Sequence, residues 1–80
     1  MDFGYKIRKI RELFDLSQAY MAHELNITQT TYSKIERGEV KLSTERLMKI
    51  SEILDIKIEQ ILYFDQNITK LTLEQKPIQE

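Results

Sequence analysis

Residues 17–38 read SQAYMAHELNITQTTYSKIERG, and this stretch decides the fold. Ser17 can cap a helix, because its hydroxyl can accept an amide of the first turn. From Gln18 the pattern runs to about Leu25 with Met21, Ala22 and Leu25 inward, roughly two turns. Asn26 stands where the chain must turn, and asparagine is among the few residues that tolerate the left-handed conformation. Thr28 is a second cap. A third helix follows over Gln29 to Arg37, with Thr31 or Tyr32 and Ile35 facing the core, and Gly38 stops it.

Outward from this stretch the pattern stays helical. Upstream, Phe3, Ile7, Ile10 and Phe14 recur at spacings of four, three and four, which predicts a first helix over Tyr5 to Asp15. Downstream, Ser43 is a third cap. Leu47, Ile50 and Leu54 form the stripe of a fourth helix that Met48 and Ile53 widen and Asp55 ends. Ile58, Ile61 and Leu62 outline a short fifth helix continuing toward Phe64. The sole proline is Pro77, so nothing but turn chemistry interrupts helix between Tyr5 and Arg37. The segment Asn67 to Leu73, NITKLTL, is β-branched and partly alternating, which permits a short strand, and Glu74 to Glu80 form a polar tail. The expected architecture is an all-α domain over residues 1–65 with a C-terminal extension over 66–80 that pairs subunits or stays partly disordered.

Bulk composition narrows the class. Eighty residues allow one core. Hydrophobic residues at 41% and charged residues at 31% describe a globular chain, not a disordered one. The chain has no cysteine, which removes disulfides and thiolate metal sites and fits a reducing, cytoplasmic setting. No apolar run approaches the ~20 residues of a membrane span, and charges from Asp2 onward leave no signal-peptide core. The net charge is −1 but is unevenly placed. Residues 1–49 hold nine Lys/Arg against seven Asp/Glu, and residues 50–80 hold three against six. A nucleic-acid face is therefore expected in the first fifty residues.

Two short helices joined by a tight turn, Gln18 to Arg37, form a helix-turn-helix. A major groove about 12 Å wide admits one helix, and the helix before it braces it against the phosphates. The inserted helix must then show polar side chains outward and keep apolar ones behind. Gln29, Thr30, Tyr32, Ser33, Lys34 and Arg37 against Ile35 have that character. Other chemistries lack their residues. His23 is the one histidine, so no metal ligand set or catalytic pairing is expected. Glu12, Asp15 and Glu24 make no acid/base pair, and no phosphate-cradling glycine loop exists. No cofactor, catalytic residue or small-molecule substrate is expected.

The stretch LSQAYMAHELNITQTTYSKIERGEVKLSTERLMKISEILDIKIEQIL, with the first helix, resembles the lambda-repressor-like, Cro-type (XRE-type) helix-turn-helix family over about Tyr5 to Phe64. Ser17-Gln18, Ile35-Glu36-Arg37-Gly38 and Leu54-Asp55-Ile56 carry the likeness. Asn26 departs from the family's usual turn glycine, and Tyr20 stands where an acidic residue or alanine is usual. The resemblance implies a five-helix DNA-binding domain. It implies that Gln29, Thr30 and Lys34 read base edges. Gln18, Thr28, Arg37 and Lys41, with Ser33 or Tyr32, are implied to touch phosphates, and Arg11 to pair with Glu36. Without the resemblance, these polar residues would pass for solvated helix faces and ordinary surface charges.

One domain offers few base contacts, so a homodimer on two half-sites is expected. Met48, Ile53, Tyr63 and Phe64 are more apolar residues than one small core requires, and they mark the expected dimer surface. The leading expectation is a transcriptional regulator, a repressor, on double-stranded DNA. The alternatives are an antitoxin-type module that grips a toxin through its acidic C-terminal half, and a controller protein of a restriction–modification operon.

Overall fold

Three helices in this chain begin where a hydroxyl meets an unpaired amide. The structure, a computed structural model, describes residues 3–64. Among them the chain forms five helices and no strand: α1 (Phe3–Leu13), α2 (Gln18–Leu25), α3 (Gln29–Glu36), α4 (Thr44–Leu54) and α5 (Ile58–Leu62). Ser17 Oγ accepts the Tyr20 amide at 3.0 Å. Thr28 Oγ1 accepts the Thr31 amide at 3.1 Å, and Ser43 Oγ the Arg46 amide at 3.1 Å. Each satisfies a donor that a helix start leaves open, for about 1 kcal/mol.

Four helices also end alike. Asp15, Asn26, Gly38 and Asp55 take φ values of 61°, 60°, 76° and 57°. The next amide then reaches back across the last turn: Leu16 to the Arg11 carbonyl, Ile27 to Ala22, Glu39 to Lys34 and Ile56 to Ser51. In this closure the residue after the left-handed one turns inward. Ile56 is buried, and Leu16 and Ile27 pack against the core. Phe14-Asp15-Leu16, Leu25-Asn26-Ile27 and Leu54-Asp55-Ile56 are thus one device used three times. It corrects the expected bounds of the first helix, which starts at Phe3 and stops at Leu13, because the left-handed Asp15 has already left the helix.

The core joins all five helices. Ile7 and Ile10 of α1, Met21 and Ala22 of α2, Tyr32 of α3, Ile50 and Leu54 of α4 and Ile61 of α5 form one buried cluster. Each fully buried large side chain contributes about 1.5–3 kcal/mol of transfer free energy. Leu25, Leu47 and Ile53 flank the cluster. Tyr32 must be corrected as a phosphate contact. Its side chain is wholly buried, because it stands three positions before the buried Ile35 and so shares the inward side of the helix. Between the two core candidates at 31 and 32, Tyr32 is the one in the core, and Thr31 is half-buried.

The helices pack as α2 on α3 and α4, with α1 crossing α3 and α5. Lys6 Nζ donates to the Leu62 carbonyl at 2.5 Å and ties the two ends of the fold. No helix among the described residues is long and apolar enough to cross a membrane. The extension over 66–80, with its expected strand at Asn67–Leu73 and tail at Glu74–Glu80, lies outside the described residues.

Gly4 sets the approach of α1 to α3. A Cβ there would stand 2.3 Å from the Ile35 carbonyl oxygen and 2.7 Å from that of Glu36. Both are backbone atoms at the end of α3, so relief requires moving a helix. Gly→Ala inside a helix normally stabilises by about 0.5–1 kcal/mol. Gly4→Ala should instead destabilise, by about 1–3 kcal/mol as overpacking does. Urea unfolding of the two proteins checks this, and an unchanged or raised midpoint would show that the approach is not tight.

Candidate nucleic-acid interface

The polar face of α3 rests on a buried charge pair. Arg11 on α1 and Glu36 on α3 are 8% and 4% exposed. Arg11 Nε donates to Glu36 Oε2 at 2.7 Å, and Nη2 to Oε1 at 3.2 Å. The remaining guanidinium nitrogen, Nη1, donates to the Leu16 carbonyl at 2.7 Å. Gln18 Nε2 donates to Glu36 Oε1 at 3.0 Å. The planar fork of arginine matches a carboxylate in this bidentate form. Glu36 therefore gathers α1 and the start of α2 onto the end of α3, and Arg11 adds the turn between α1 and α2.

The titration of these groups follows from that packing. Burial would push the Glu36 carboxyl up, but the hydrogen bonds from Arg11 and its neighbours and the Arg11 charge outweigh it and hold the group below the ordinary carboxylate value. Arg11 is pushed further up by its bond to Glu36, against the opposing effect of burial. Tyr32 brings its hydroxyl into the same buried region without a hydrogen bond of ordinary geometry. Burial first, and the Glu36 carboxylate second, raise its titration far above the usual phenol range.

Outside this hub lies a polar face. Gln29, Thr30 and Lys34 are all exposed on α3. Gln29, Ser33 and Arg37 follow one another at four-residue steps, as do Thr30 and Lys34, so the five share one side of the helix. Ser33 is half-buried beneath Arg37, which donates to its hydroxyl. Arg37 is exposed and also donates to Glu39, through Nε at 2.7 Å and Nη2 at 3.3 Å. Thr28 is exposed at the helix start, and its hydroxyl donates to Thr31 Oγ1 at 3.0 Å while capping α3. Lys41 is exposed in the loop after α3. Gln18, half-buried, is held by Glu36 and does not stand free as a surface amide.

The four apolar candidates for a dimer surface divide. Met48 and Tyr63 are 48% and 77% exposed, whereas Ile53 and Phe64 pack against the core. Tyr20 and His23 are exposed on α2. No cluster of His, Cys, Asp and Glu among the described residues is arranged to hold a metal ion. Gly4 is one position that sequence reasoning missed. An isolated glycine inside a helical stripe is itself a signal of close backbone approach.

A family model described as helix-turn-helix matches residues 7–61. The chain is 37% identical to the cryptic phage CTXphi transcriptional repressor RstR of Vibrio cholerae, over all of this chain and 73% of that protein. It is 40% identical to the control protein C.MunI of a Mycoplasma species, over 74% of this chain and 81% of the relative. It is 36% identical to the control protein C.BamHI of Bacillus amyloliquefaciens, over 78% of each. No solved structure matches the chain.

The depressed Glu36 titration has a sign. The folded protein binds its proton less readily than the unfolded chain does. The resulting stability is present above the ordinary carboxylate value of 4.5, and it is lost as pH falls through the lower folded value. Glu36→Gln should remove this part of the acid dependence. At neutral pH it should destabilise by about 3–5 kcal/mol, since Arg11 is left buried without its counter-charge. Chemical unfolding measured from pH 7 to pH 3 checks both. An undiminished acid dependence in the variant would assign it to other carboxylates.

Proposed function

The chain belongs to the helix-turn-helix family of DNA-binding transcription regulators, and from that premise we propose that it is a sequence-specific repressor that lays α3 in the major groove as a homodimer. The observation that carries the reading is the exposed polar side of α3. Gln29, Thr30 and Lys34 lie on a helix whose start is capped by Thr28 and whose end is anchored by Glu36.

Each reader has chemistry suited to a base edge. The Gln29 amide can bond adenine N6 and N7 together, Lys34 can reach guanine O6 and N7, and the Thr30 methyl can meet a thymine methyl. Thr28, Ser33, Arg37 and Lys41 surround these readers and hold phosphates, which position the protein without reading sequence. Gln18 joins them through its amide at the start of α2. Two such units on half-sites about 34–36 Å apart supply the specificity that one lacks. Met48 and Tyr63 are the anchors of the dimer surface, with Ile53 and Phe64 behind them. The setting is the cytoplasm, where the operator is.

The likeness to a named repressor along the whole chain supports repression. The two control proteins support a second reading, control of a restriction–modification operon by the same DNA contacts. These names favour a regulator over the antitoxin alternative. Restriction and methyltransferase genes adjoining this one would decide for the controller.

Two measurements test the reading. Against a duplex selected from a random pool, Gln29→Ala should lose about 1–3 kcal/mol and relax preference at one base position. Lys41→Ala should weaken all duplexes alike and lower the salt slope by about 0.9. Identical behaviour of the two variants would refute the division between reading and positioning. Sedimentation equilibrium should show a dimer, and a monomer at high micromolar concentration both with and without DNA would refute the dimer.

A further inference from the structure

Between α1, the start of α2 and the end of α3 lies an open cleft of about 540 Å³. Arg8 and Glu12 line it from α1, Gln18 from α2, and Ser33 and Arg37 from α3. The Arg11–Glu36 pair also lines it, and that pair is neutralised within itself. Two half-exposed guanidiniums, Arg8 and Arg37, thus stand on the cleft. Each is held by a half-exposed carboxylate: Arg8 by Glu12 at 3.2 Å and Arg37 by Glu39 at 2.7 Å. Such exposed pairs are weak and exchange readily for another anion.

The cleft continues the polar side of α3. From Gln29 that side runs one turn to Ser33 and a second to Arg37, which line the cleft. An eight-residue helix is about 12 Å long, more than the depth of the major groove, about 8.5 Å. A helix whose N-terminal residues meet the base edges therefore brings its last turn to the level of the phosphates.

We propose that this cleft seats a backbone phosphate of the bound DNA, with Arg8 of α1 as a phosphate-contacting residue opposite Arg37. The footprint then extends beyond the helix-turn-helix onto the first helix. The inference rests on the DNA-binding reading above. In the free protein, Glu12, on the cleft, holds the position that a phosphate oxygen takes in the complex, and Arg37 turns from Glu39 to the phosphate. The seat carries no sequence information. An arginine fork can grip a phosphodiester through two parallel hydrogen bonds, and Gln18 and Ser33 supply neutral hydrogen-bonding groups beside it.

The test is titration of the full chain on one selected duplex, followed by fluorescence anisotropy between 50 and 200 mM salt. Arg8→Gln should reduce the log–log salt slope by about 0.9, so that its deficit relative to the unsubstituted chain shrinks about threefold across that range. Base preference should not change. Arg8→Lys should restore the slope, and Lys57→Gln, which removes an equal charge at the start of α5, should leave it as it was. Arg8 is exposed, so thermal unfolding should be nearly the same in all four proteins. An unchanged slope in Arg8→Gln, with the unsubstituted chain still bound, would overturn the seat alone. Failure of the unsubstituted chain to bind any duplex would overturn the DNA reading and the seat with it.

Discussion

One carboxylate organises this fold. Glu36 sits at the last position of α3 and accepts hydrogen bonds from Arg11 and Gln18, on two other elements. A buried ion pair is a poor source of net stability, because desolvation of both charges offsets much of their attraction. Its value here is geometric. A hydrophobic contact leaves a helix free to slide and rotate by a fraction of a turn. A bidentate fork between Arg11 and Glu36 does not. The orientation of α3, and so the direction in which Gln29, Thr30 and Lys34 point, follows from that fork. With α1 held against α3, a Cβ at position 4 would press on the carbonyl oxygens of Ile35 and Glu36.

Most of the fold was legible because its signals are local. Ser17, Thr28 and Ser43 mark three starts, and Asn26, Gly38 and Asp55 mark three stops. Each signal needs only the few residues around it. The apolar stripes of α1 and α4 follow from a period of 3.6 residues, which two or three turns suffice to display. Where local evidence ran short, the reading failed. The stop at Asp15 was hidden because Phe14 and Leu16 continue the apolar pattern on either side of it. The bounds of α1 therefore came out two residues late at both ends.

The polar face was legible by a different route, and incompletely. Periodicity separates outward from inward positions only to within about one residue on a helix of two turns. Tyr32 illustrates this, since its hydroxyl suggests a surface role and its position places it in the core. Gln18 illustrates the converse. As a sequence letter it is a polar residue at a helix start, and nothing nearby reveals that its amide reaches a carboxylate eighteen positions away. Contacts of that range belong to tertiary structure. Arg8 escaped notice for the same reason, because its place on the cleft depends on how α1 crosses α3.

The tie between Lys6 and the Leu62 carbonyl spans fifty-six positions, whereas the turn joining α2 to α3 closes within a few. The entropy cost of closing a loop grows with the logarithm of its length. Docking α1 onto α5 therefore restricts the chain more than any neighbouring pair of helices does. Local pairings of this kind form quickly, and distant ones set the pace of folding. The helix-turn-helix is thus assembled from local, fast-forming contacts. Its anchoring to α1 belongs to the slower closure, which gives the first helix a kinetic weight out of proportion to its length.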